Sequence, residues 1–446
     1  MQSDYRMRQG GLHVTDLRIH SIAIADPPLR SSYGLHAPYA LRTFIELVSD
    51  AGFVGVAETH GGEVIAGQFA ALKPRLVGAD AFRLAGDLLP MIDPQAAPDG
   101  DRSQTFRVPG ENPLDAANRL YSAIEIACLD LIGQAIGLPV CDLLGGRARE
   151  AVPFSAYLFY KHAGGGGEGT DARPDEYGEA LTPDAIVEQA REMTRTYGFR
   201  EIKLKAGVLE PAIEIESLRQ LRQAFGPTVP LRIDPNCAWS VETSIAVGRA
   251  LASELDAGGY LEDPCAGLEG MAQVRRALLA EGIDTPMASN VAVTSFADLP
   301  AAVATGGVQI VLCDPHYWGG IRQIQHLARV CQTFGLGLSM HSNSHLGVSL
   351  MAMTHAAAAA PHLTYACDTH YPWQSAQDEV VEGGRIRFHD GCVQIPDRPG
   401  LGVTLDYDQL ARGRERYERC SYRKRDDEAE MRKHVDPTWT RRLPAW

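Results

Sequence analysis

The fold follows from residues Phe199–Gly207, which read Phe-Arg-Glu-Ile-Lys-Leu-Lys-Ala-Gly. As a β-strand, this stretch places Ile202 and Leu204 on one face and two lysines, Lys203 and Lys205, on the other. Lysine side chains are among the least often buried unless they are paired. The lysine face of the strand therefore requires anions or a polar cavity.

Similar strands recur along the chain at a nearly constant spacing. Polar residues end the successive predicted strands at positions 205, 234, 262, 290, 314, 341 and 368, with intervals of 29, 28, 28, 24, 27 and 27 residues. One strand and one helix per interval predicts a (β/α) barrel, whose chemistry lies at the carboxyl ends of the strands. We expect a first strand at Val152–Tyr160 and a last one at Leu363–Asp368.

The chain divides into three parts around this repeat. Residues 1–145 alternate like strands up to about residue 60 and then show helical spacing, which predicts an α+β domain. Residues 146–390 contain the predicted barrel. Residues 391–446 do not fit another barrel unit, and we expect this segment to return to the first domain.

Composition narrows the class of function and of partner. The 446 residues carry a net charge of −14, which argues against nucleic acid or an anionic membrane as the main partner. The nine cysteines are dispersed without a CxxC pair, so we expect reduced thiols and a cytoplasmic protein. No apolar run reaches membrane-spanning length, and no apolar signal segment follows the first residues.

Three consecutive strand ends carry oxygen ligands, namely Asp234, Glu262 and Asn290. Because consecutive strand ends in a barrel are neighbours, their oxygens should converge. A set of oxygens without His or Cys suits Mg²⁺. A solvated loop acid would be the simpler explanation for any one of them, but three in register favour a magnesium site.

The next two strand ends, Asp314 and His341, predict a general base. A carboxylate beside an imidazole fixes the tautomer of the ring and raises its basicity. Lys205, close to the metal and to a second ammonium group, is a second candidate base. The alternatives are a structural hydrogen-bonded histidine and a salt-bridged lysine at the barrel rim. Two bases facing each other across Mg²⁺ suggest removal of a proton from a carbon next to a carboxylate.

In combination, the strand-end motifs resemble those of the enolase superfamily, in which Lys or His bases act with Mg²⁺, and within it the glucarate dehydratase branch. The resemblance extends from about His36 to Arg425. The matching runs are Lys203-Leu204-Lys205, Asp234-Pro235-Asn236, Glu262-Asp263-Pro264-Cys265, Ala288-Ser289-Asn290, Asp314-Pro315-His316, His341-Ser342-Asn343 and Asp368-Thr369-His370. An amide as the third metal ligand is characteristic of this branch.

The resemblance implies an α/β protein with a modified (β/α)7β TIM-type barrel under an α+β capping domain, and a homo-oligomer. It implies that His341, supported by Asp314, removes the C5 proton of D-glucarate, and that Lys205 serves the C5 epimer, L-idarate. Loss of the C4 hydroxyl then gives 5-dehydro-4-deoxy-D-glucarate. Lys203 would neutralise the enolate or carboxylate, and Asn236 would assist near the metal. The implied substrate contacts are His36, Thr105, Phe106, Tyr157, Ser342, Asn343, His370 and Arg425.

Three stretches depart from the branch pattern. His60 stands where proline is expected before two glycines, and the residues after Cys265 and after His316 also differ. These changes leave the proton-abstraction residues in place and bear on the identity of the substrate. The alternatives are a dehydratase or epimerase for another aldarate or aldonate, and a catalytically weak homologue that binds a diacid.

Overall fold

The computed structural model describes residues 11–84 and 113–446. Its strands are β1 Val14–Ala25, β2 Arg30–Ser31, β3 Gly34–Leu35, β4 Tyr39–Ser49, β5 Val54–His60, β6 Ala151–Pro153, β7 Ala156–Phe159, β8 Ile202–Lys205, β9 Leu231–Asp234, β10 Tyr260–Glu262, β11 Met287–Ser289, β12 Ile310–Cys313, β13 Gly337–Met340 and β14 Cys392–Gln394. Its α-helices are α1 Glu63–Leu76, α2 Pro113–Ile136, α3 Val140–Leu143, α4 Pro183–Tyr197, α5 Pro211–Phe225, α6 Val241–Ala250, α7 Ala252–Leu255, α8 Gly267–Ala280, α9 Leu299–Thr305, α10 Ile321–Phe334, α11 Gly347–Ala359, α12 Tyr407–Arg419 and α13 Asp427–His434.

An antiparallel sheet in the order β1-β4-β5 forms the amino-terminal part of the molecule. The helix α2 packs against β5 at very short range. A Cβ atom on Gly55 would lie 2.0 Å from the carbonyl oxygen of Ala127, so only glycine permits this approach. The sheet and its helices bury Phe44, Ile45 and Ile124 completely, and this core is continuous with that of the barrel.

Seven parallel strands form one curled sheet in the order β7-β8-β9-β10-β11-β12-β13, which is also their order along the chain. The helix before β8 shows how the sequence sets each unit. Thr182 caps α4 by accepting a hydrogen bond from the amide of Ala185, and Gly198 ends the helix with a φ of 73°. The predicted α/β architecture, a (β/α)7β barrel with an α+β capping domain, is confirmed.

Residues 364–368 close the barrel without forming a regular strand. The amides of Thr364 and Tyr365 both donate to the carbonyl of Leu338, which disturbs the register on that side. On the other side Cys367 forms a single parallel bridge with Phe154. The prediction of a regular strand at Leu363–Asp368 was therefore wrong, although its extended chain fills the expected position.

The predicted first strand, Val152–Tyr160, is two strands in the structure. β6 pairs antiparallel with β14, whereas β7 pairs with β8 in the barrel. The side chain of Ser155, between the two strands, donates to Asp368 at 3.2 Å. The chain thus changes sheets at this point, which alternation of side chains alone does not indicate.

The last part of the chain returns to the amino-terminal sheet. The helix α12 packs on β1, where the guanidinium of Arg416 donates to the carbonyl of Ala23 at 3.0 Å. The helix α13 packs beside β3. The domain boundaries after residues 145 and 390 stay predictions.

The cysteines form no disulfides: all nine are free thiols, and eight of them are buried. Within the two described ranges, no helix is long and apolar enough to cross a membrane.

Candidate active site

Two neighbouring barrel strands end in buried carboxylates. Asp234 is the last residue of β9 and Glu262 the last residue of β10, and both are fully buried. Asn290 directly follows β11 and is 2% exposed. Since these parallel strands are adjacent, the fold brings the three predicted metal ligands to one edge of the barrel.

The hydrogen bonding around these oxygens leaves acceptors without donors. Oε1 of Glu262 and Oδ1 of Asn290 are buried and accept no hydrogen bond from the described residues. Oε2 of Glu262 lies 2.6 Å from Nζ of Lys203 in an ion pair. Buried acceptors are normally satisfied, so unsatisfied oxygens at one place fit a cation that the chain itself does not supply. Two carboxylates and an amide are the hard donors that suit Mg²⁺.

Among the described residues, no three His, Cys, Asp or Glu side chains are grouped so that they could hold a metal ion by themselves. The oxygen set at the barrel mouth contains only two acids, because the third donor is the amide of Asn290. Asp263 holds this amide residue in place. Its carboxylate accepts from the Ser289 hydroxyl at 2.5 Å and from the Asn290 backbone amide at 2.9 Å. Sequence reasoning missed this role for Asp263.

Two turns next to the carboxylates have strained backbones. Asn236 and Asp263 have φ angles of 45° and 38°, in the left-handed region that costs energy for residues other than glycine. The amide of Asn236 donates to Oδ1 of Asp234 at 3.0 Å. Of the four described residues other than glycine with positive φ, three, namely Asn236, Cys237 and Asp263, therefore follow the strands that carry the two carboxylates.

The two lysines of β8 have different surroundings. Lys203 is completely buried, and its Nζ lies 2.6 Å from both Asp368 and Glu262. Burial lowers its pKa, but the carboxylates of Asp368 and Glu262 outweigh that effect and hold the pKa well above its usual value. Lys205 is 6% exposed and donates to Oδ2 of Asp234 at 2.7 Å. Burial opposes ionisation of Asp234, but Lys205 and Lys203 hold its pKa below the usual range.

His341 directly follows β13 and is bonded to the loop after β12. Its Nδ1 lies 2.7 Å from the Tyr317 hydroxyl and 3.4 Å from Oδ2 of Asp314. Asp314 instead bonds closely to His316, at 2.6 Å from Nδ1 and 2.8 Å from the backbone amide. The pairing of Asp314 with His341 is therefore the weaker of two contacts, and sequence reasoning missed Tyr317 as the nearer partner.

The charge of Asp314 is firmly fixed. Burial acts to raise the pKa of this carboxyl, but His316 and His341 hold it well below the usual range. Asp314 therefore stays ionised and places a fixed negative charge behind the His341 ring.

One cavity of about 410 Å³ collects most of the predicted site residues. Those that line it are His36, Tyr157, Lys205, Asn236, Asn290, His341, Ser342, Asn343, His370 and Arg425. Four further site residues are buried behind this wall and affect the cavity only through the residues that they contact. They are Lys203, Asp234, Glu262 and Asp314. Thr105 and Phe106 lie outside the described residues.

Four of the predicted substrate contacts, His36, Tyr157, Ser342 and His370, are already bonded to other side chains of the protein. His36 lies 3.0 Å from Asp26, and the Ser342 hydroxyl lies 3.1 Å from Nδ1 of His370. Burial, with His36 and His341 nearby, lowers the pKa of His370 well below its usual value, so this ring is neutral. The Tyr157 hydroxyl donates to Asp234 at 3.3 Å. The orientation of each of these side chains in the cavity wall is therefore fixed by a hydrogen bond or an ion pair.

Arg425, the last of the implied substrate contacts, is bonded to an acid of the chain itself. It forks onto Asp427, with distances of 2.7 and 2.5 Å from Nε and Nη2 to the two oxygens. The cavity wall also includes basic and aromatic groups that sequence reasoning did not assign, namely Tyr33, His60, Arg119 and Arg441. Acidic residues 426–428 line the same rim. The rim therefore carries charges of both signs.

A parallel barrel with buried oxygen donors and titratable side chains at its strand ends defines a barrel enzyme. Residues 185–409 match the family model described as enolase C-terminal domain-like, and the chain belongs to the enolase superfamily. It is an enzyme of the hydro-lyase class.

Similarity to known proteins extends over nearly the whole chain. The chain is 46% identical over 98% of its length to a probable glucarate dehydratase of Streptomyces coelicolor, of which it covers 99%. It is also similar to an enolase of Thermobispora bispora solved with magnesium and formate, with 46% identity, a TM-score of 0.88, and coverage of 98% of this chain and 100% of that chain. An enolase of Pseudomonas fluorescens solved with magnesium, potassium and tartrate gives 45% identity, a TM-score of 0.90 and the same coverage.

Proposed function

We propose that this protein is a magnesium-dependent dehydratase of acid sugars that acts on D-glucarate and its C5 epimer L-idarate. The observation that carries the proposal is that one cavity is lined by two candidate bases, His341 and Lys205, together with the metal-ligand candidate Asn290. Two similarities support the choice of a diacid. One relative is a probable glucarate dehydratase, and one related structure was solved with tartrate, which is a diacid.

Asp234, Glu262 and Asn290 would hold Mg²⁺, and Asn236 lies beside them. When bound, the ion acts as a Lewis acid that withdraws electron density from the substrate carboxylate and makes the adjacent proton easier to remove. Lys203, held charged by Asp368, adds a fixed positive charge behind the same carboxylate.

His341 removes the C5 proton of D-glucarate with its Nε2 atom. Its Nδ1 is already bonded to Tyr317 and Asp314, so Nε2 is the ring nitrogen available for proton transfer. The electron pair left at C5 forms a double bond to C4 as the C4 hydroxyl departs. His341 returns the proton to that hydroxyl, so the leaving group is water, and the enol product rearranges to 5-dehydro-4-deoxy-D-glucarate.

Lys205 performs the same step on L-idarate, whose C5 proton points to the other face. Lys205 takes this proton as the neutral amine, which can still donate to Oδ2 of Asp234. The bonds made and broken at C5 and C4 are those of the His341 reaction. The two bases thus differ in the stereochemistry of the proton that they remove.

The remaining site residues bind and orient the substrate. His36, Tyr157, Ser342, Asn343 and His370 offer hydroxyl, amide and imidazole groups to the substrate hydroxyls. Thr105 and Phe106 are proposed contacts from the family resemblance alone. Arg425 grips the distal carboxylate when it exchanges Asp427 for the substrate.

A second candidate function is an epimerase or a dehydratase for another aldarate or aldonate. The observation that favours it is the same pair of bases, since removal of a proton on one face and its return on the other inverts the carbon. His60, which departs from the pattern of the glucarate dehydratase branch, lines the same cavity and bears on which acid sugar fits.

Proton NMR in D₂O with added Mg²⁺ tests these functions directly. We expect D-glucarate and L-idarate to lose their C5 proton signals and to give the signals of 5-dehydro-4-deoxy-D-glucarate. Loss of the C5 signal without a keto product would support the epimerase. Turnover of a different aldarate or aldonate in a screen would identify that acid sugar as the substrate in place of D-glucarate. Binding of a diacid with no exchange at all would contradict both enzymatic proposals and favour the catalytically weak homologue.

A further inference from the structure

Glu214, in the first turn of α5, accepts three backbone hydrogen bonds from the loop that follows β8. Its Oε2 accepts from the amide of Gly207 at 3.0 Å. Its Oε1 accepts from the amides of Val208 at 2.9 Å and Leu209 at 3.0 Å. One side chain therefore satisfies three consecutive amides, beginning two residues after Lys205.

The carboxylate makes these contacts away from water. Glu214 is completely buried and is not among the described residues that line the cavity. Burial raises its pKa to about 7, although the three amides favour the charged form and Arg30 faces it. Burying a carboxylate is costly, and three well-placed donors offset that cost only in this loop conformation.

The loop is held from its other side by the turn that carries Asn236. The amide of Ala206 donates to the carbonyl of Asp234 at 2.8 Å. Gly207 has a φ of 72°, and a Cβ atom there would lie 2.4 Å from the carbonyl oxygen of Pro235. The chain after Lys205 is thus fixed between Glu214 and the Asp234–Asn236 turn.

We infer that Glu214 is a positioning residue for Lys205, and that it controls the proton-abstracting step on the Lys205 face of the site while leaving the His341 face unaffected. The inference rests on the proposed function, because it requires both faces to react. Its physical basis is that a base misplaced by about 1 Å loses roughly 10²-fold in rate. The backbone of Lys205 pairs with Phe159 on β7 and with Asp234 on β9, and the loop that Glu214 holds follows directly. His341 directly follows β13, whereas the three amides that Glu214 accepts all belong to the loop after β8.

The main test compares Glu214→Gln with the wild type by proton exchange and turnover in D₂O with Mg²⁺. Glutamine keeps the volume but replaces one acceptor oxygen by an amide that points at a backbone N–H. We expect kcat for L-idarate to fall by about 10- to 100-fold, with KM unchanged because Glu214 does not touch the cavity. Turnover of D-glucarate should change less than about twofold.

Two controls separate positioning from general damage to the helix. Glu216→Gln removes an exposed carboxylate from the same helix, two residues further on, and should leave both substrates unaffected. Ser217→Ala removes the 2.8 Å contact with the Tyr160 hydroxyl inside the same packing layer. This substitution disturbs the packing of α5 without touching the loop after β8. Any loss of turnover should therefore be equal for both substrates.

Gly207→Ala provides a second route if Glu214→Gln folds poorly. The added Cβ displaces the loop from the Pro235 side, so it should reproduce the selective loss on L-idarate. An equal loss for both substrates, or no loss for either, in folded variants would overturn the role of Glu214. Turnover of only one of the two substrates by the wild type would overturn it as well. An absence of exchange with both substrates in the wild type would instead be the failure of the proposed function itself.

Discussion

Lys205 and His341 line the same cavity, but the structure holds them in different ways. Lys205 bonds to Asp234 on the adjacent strand, and its following loop is fixed by Glu214. His341 bonds to Tyr317, which belongs to the loop after β12, and more distantly to Asp314. The Lys205 side is organised by strand register and backbone amides, whereas the His341 side is organised by loop side chains. Changes on the two sides should therefore be separable by experiment.

Removal of the metal should have the largest effect on turnover, and it should affect the Lys205 and His341 sides alike. Asp234, Glu262 and Asn290 serve both faces, so chelation with EDTA should stop exchange of both D-glucarate and L-idarate to the limit of detection. Added Mg²⁺ should restore both together, as followed by proton NMR. Activity on one substrate that survives exhaustive chelation would contradict a shared magnesium site.

Loss of one base should have the next largest effect and should divide the two faces. His341→Asn should reduce D-glucarate turnover by about 10²–10⁴-fold, because the positioned base is lost, and should leave C5 exchange of L-idarate in place. Lys205→Met should do the reverse.

His326→Asn is the matched control for the first of these variants, since His326 is an exposed histidine on α10. The turnover of both substrates is measured for all three variants. Full dehydration of D-glucarate by His341→Asn would show that another group removes the C5 proton.

The buried carboxylate on the Lys205 side should also make stability depend on pH. Burial raises the pKa of Glu214 from 4.5 to about 7, so the folded state binds this proton more tightly than the unfolded chain. The stability contributed by Glu214 is therefore present below about pH 4.5 and is lost as the pH rises through about 7. The slope reaches at most about 1.4 kcal/mol per pH unit.

Glu214→Gln removes this dependence. Urea unfolding at pH 5 and pH 7.5 should show a smaller decrease in stability for Glu214→Gln than for the wild type, whereas Glu216→Gln should follow the wild type. Parallel pH dependence of the wild type and Glu214→Gln would show that Glu214 is ionised in both states.

The smallest effect should come from the hydroxyl that contacts His341. Tyr317→Phe removes a 2.7 Å hydrogen bond to Nδ1, which is worth about 0.5–1.5 kcal/mol net, or about 2- to 10-fold in rate. The loss should appear for D-glucarate and not for L-idarate. Tyr365→Phe, on the half-buried ring beside Tyr260, is the control. Equal losses for both substrates would mean that Tyr317 supports the whole barrel mouth.

The sequence predicted the barrel because one repeat of 24–29 residues generates each strand, each helix and each polar strand end. It failed where the backbone departs from the repeat. The chain around Ser155 changes sheets, and the amides of Thr364 and Tyr365 share one acceptor. Neither event changes the alternation of apolar and polar side chains, which is the signal that sequence reasoning uses.

The same limit explains which site residues were found. Asp234, Glu262, Lys205 and His341 occupy strand ends, so the fold alone brings them to the barrel mouth. Glu214 and Asp263 act mainly by accepting backbone amides, and the spacing of side chains carries no information on such contacts. Tyr317 stands in the stretch after His316 that departs from the branch pattern, but the orientation of its hydroxyl depends on the loop conformation.

Closure of the barrel at Cys367 has a consequence for synthesis of the chain. The amide of Ser155 bonds to the carbonyl of Cys367, although the two residues are 212 positions apart. A ribosome that adds about 5–20 residues per second needs roughly 10–40 s to cover that interval. Throughout that time the edge of β7 lacks its final partner, and open strand edges pair readily with other chains. The nascent chain therefore exposes an unpaired strand edge from the synthesis of its first barrel strand until that of residue 368.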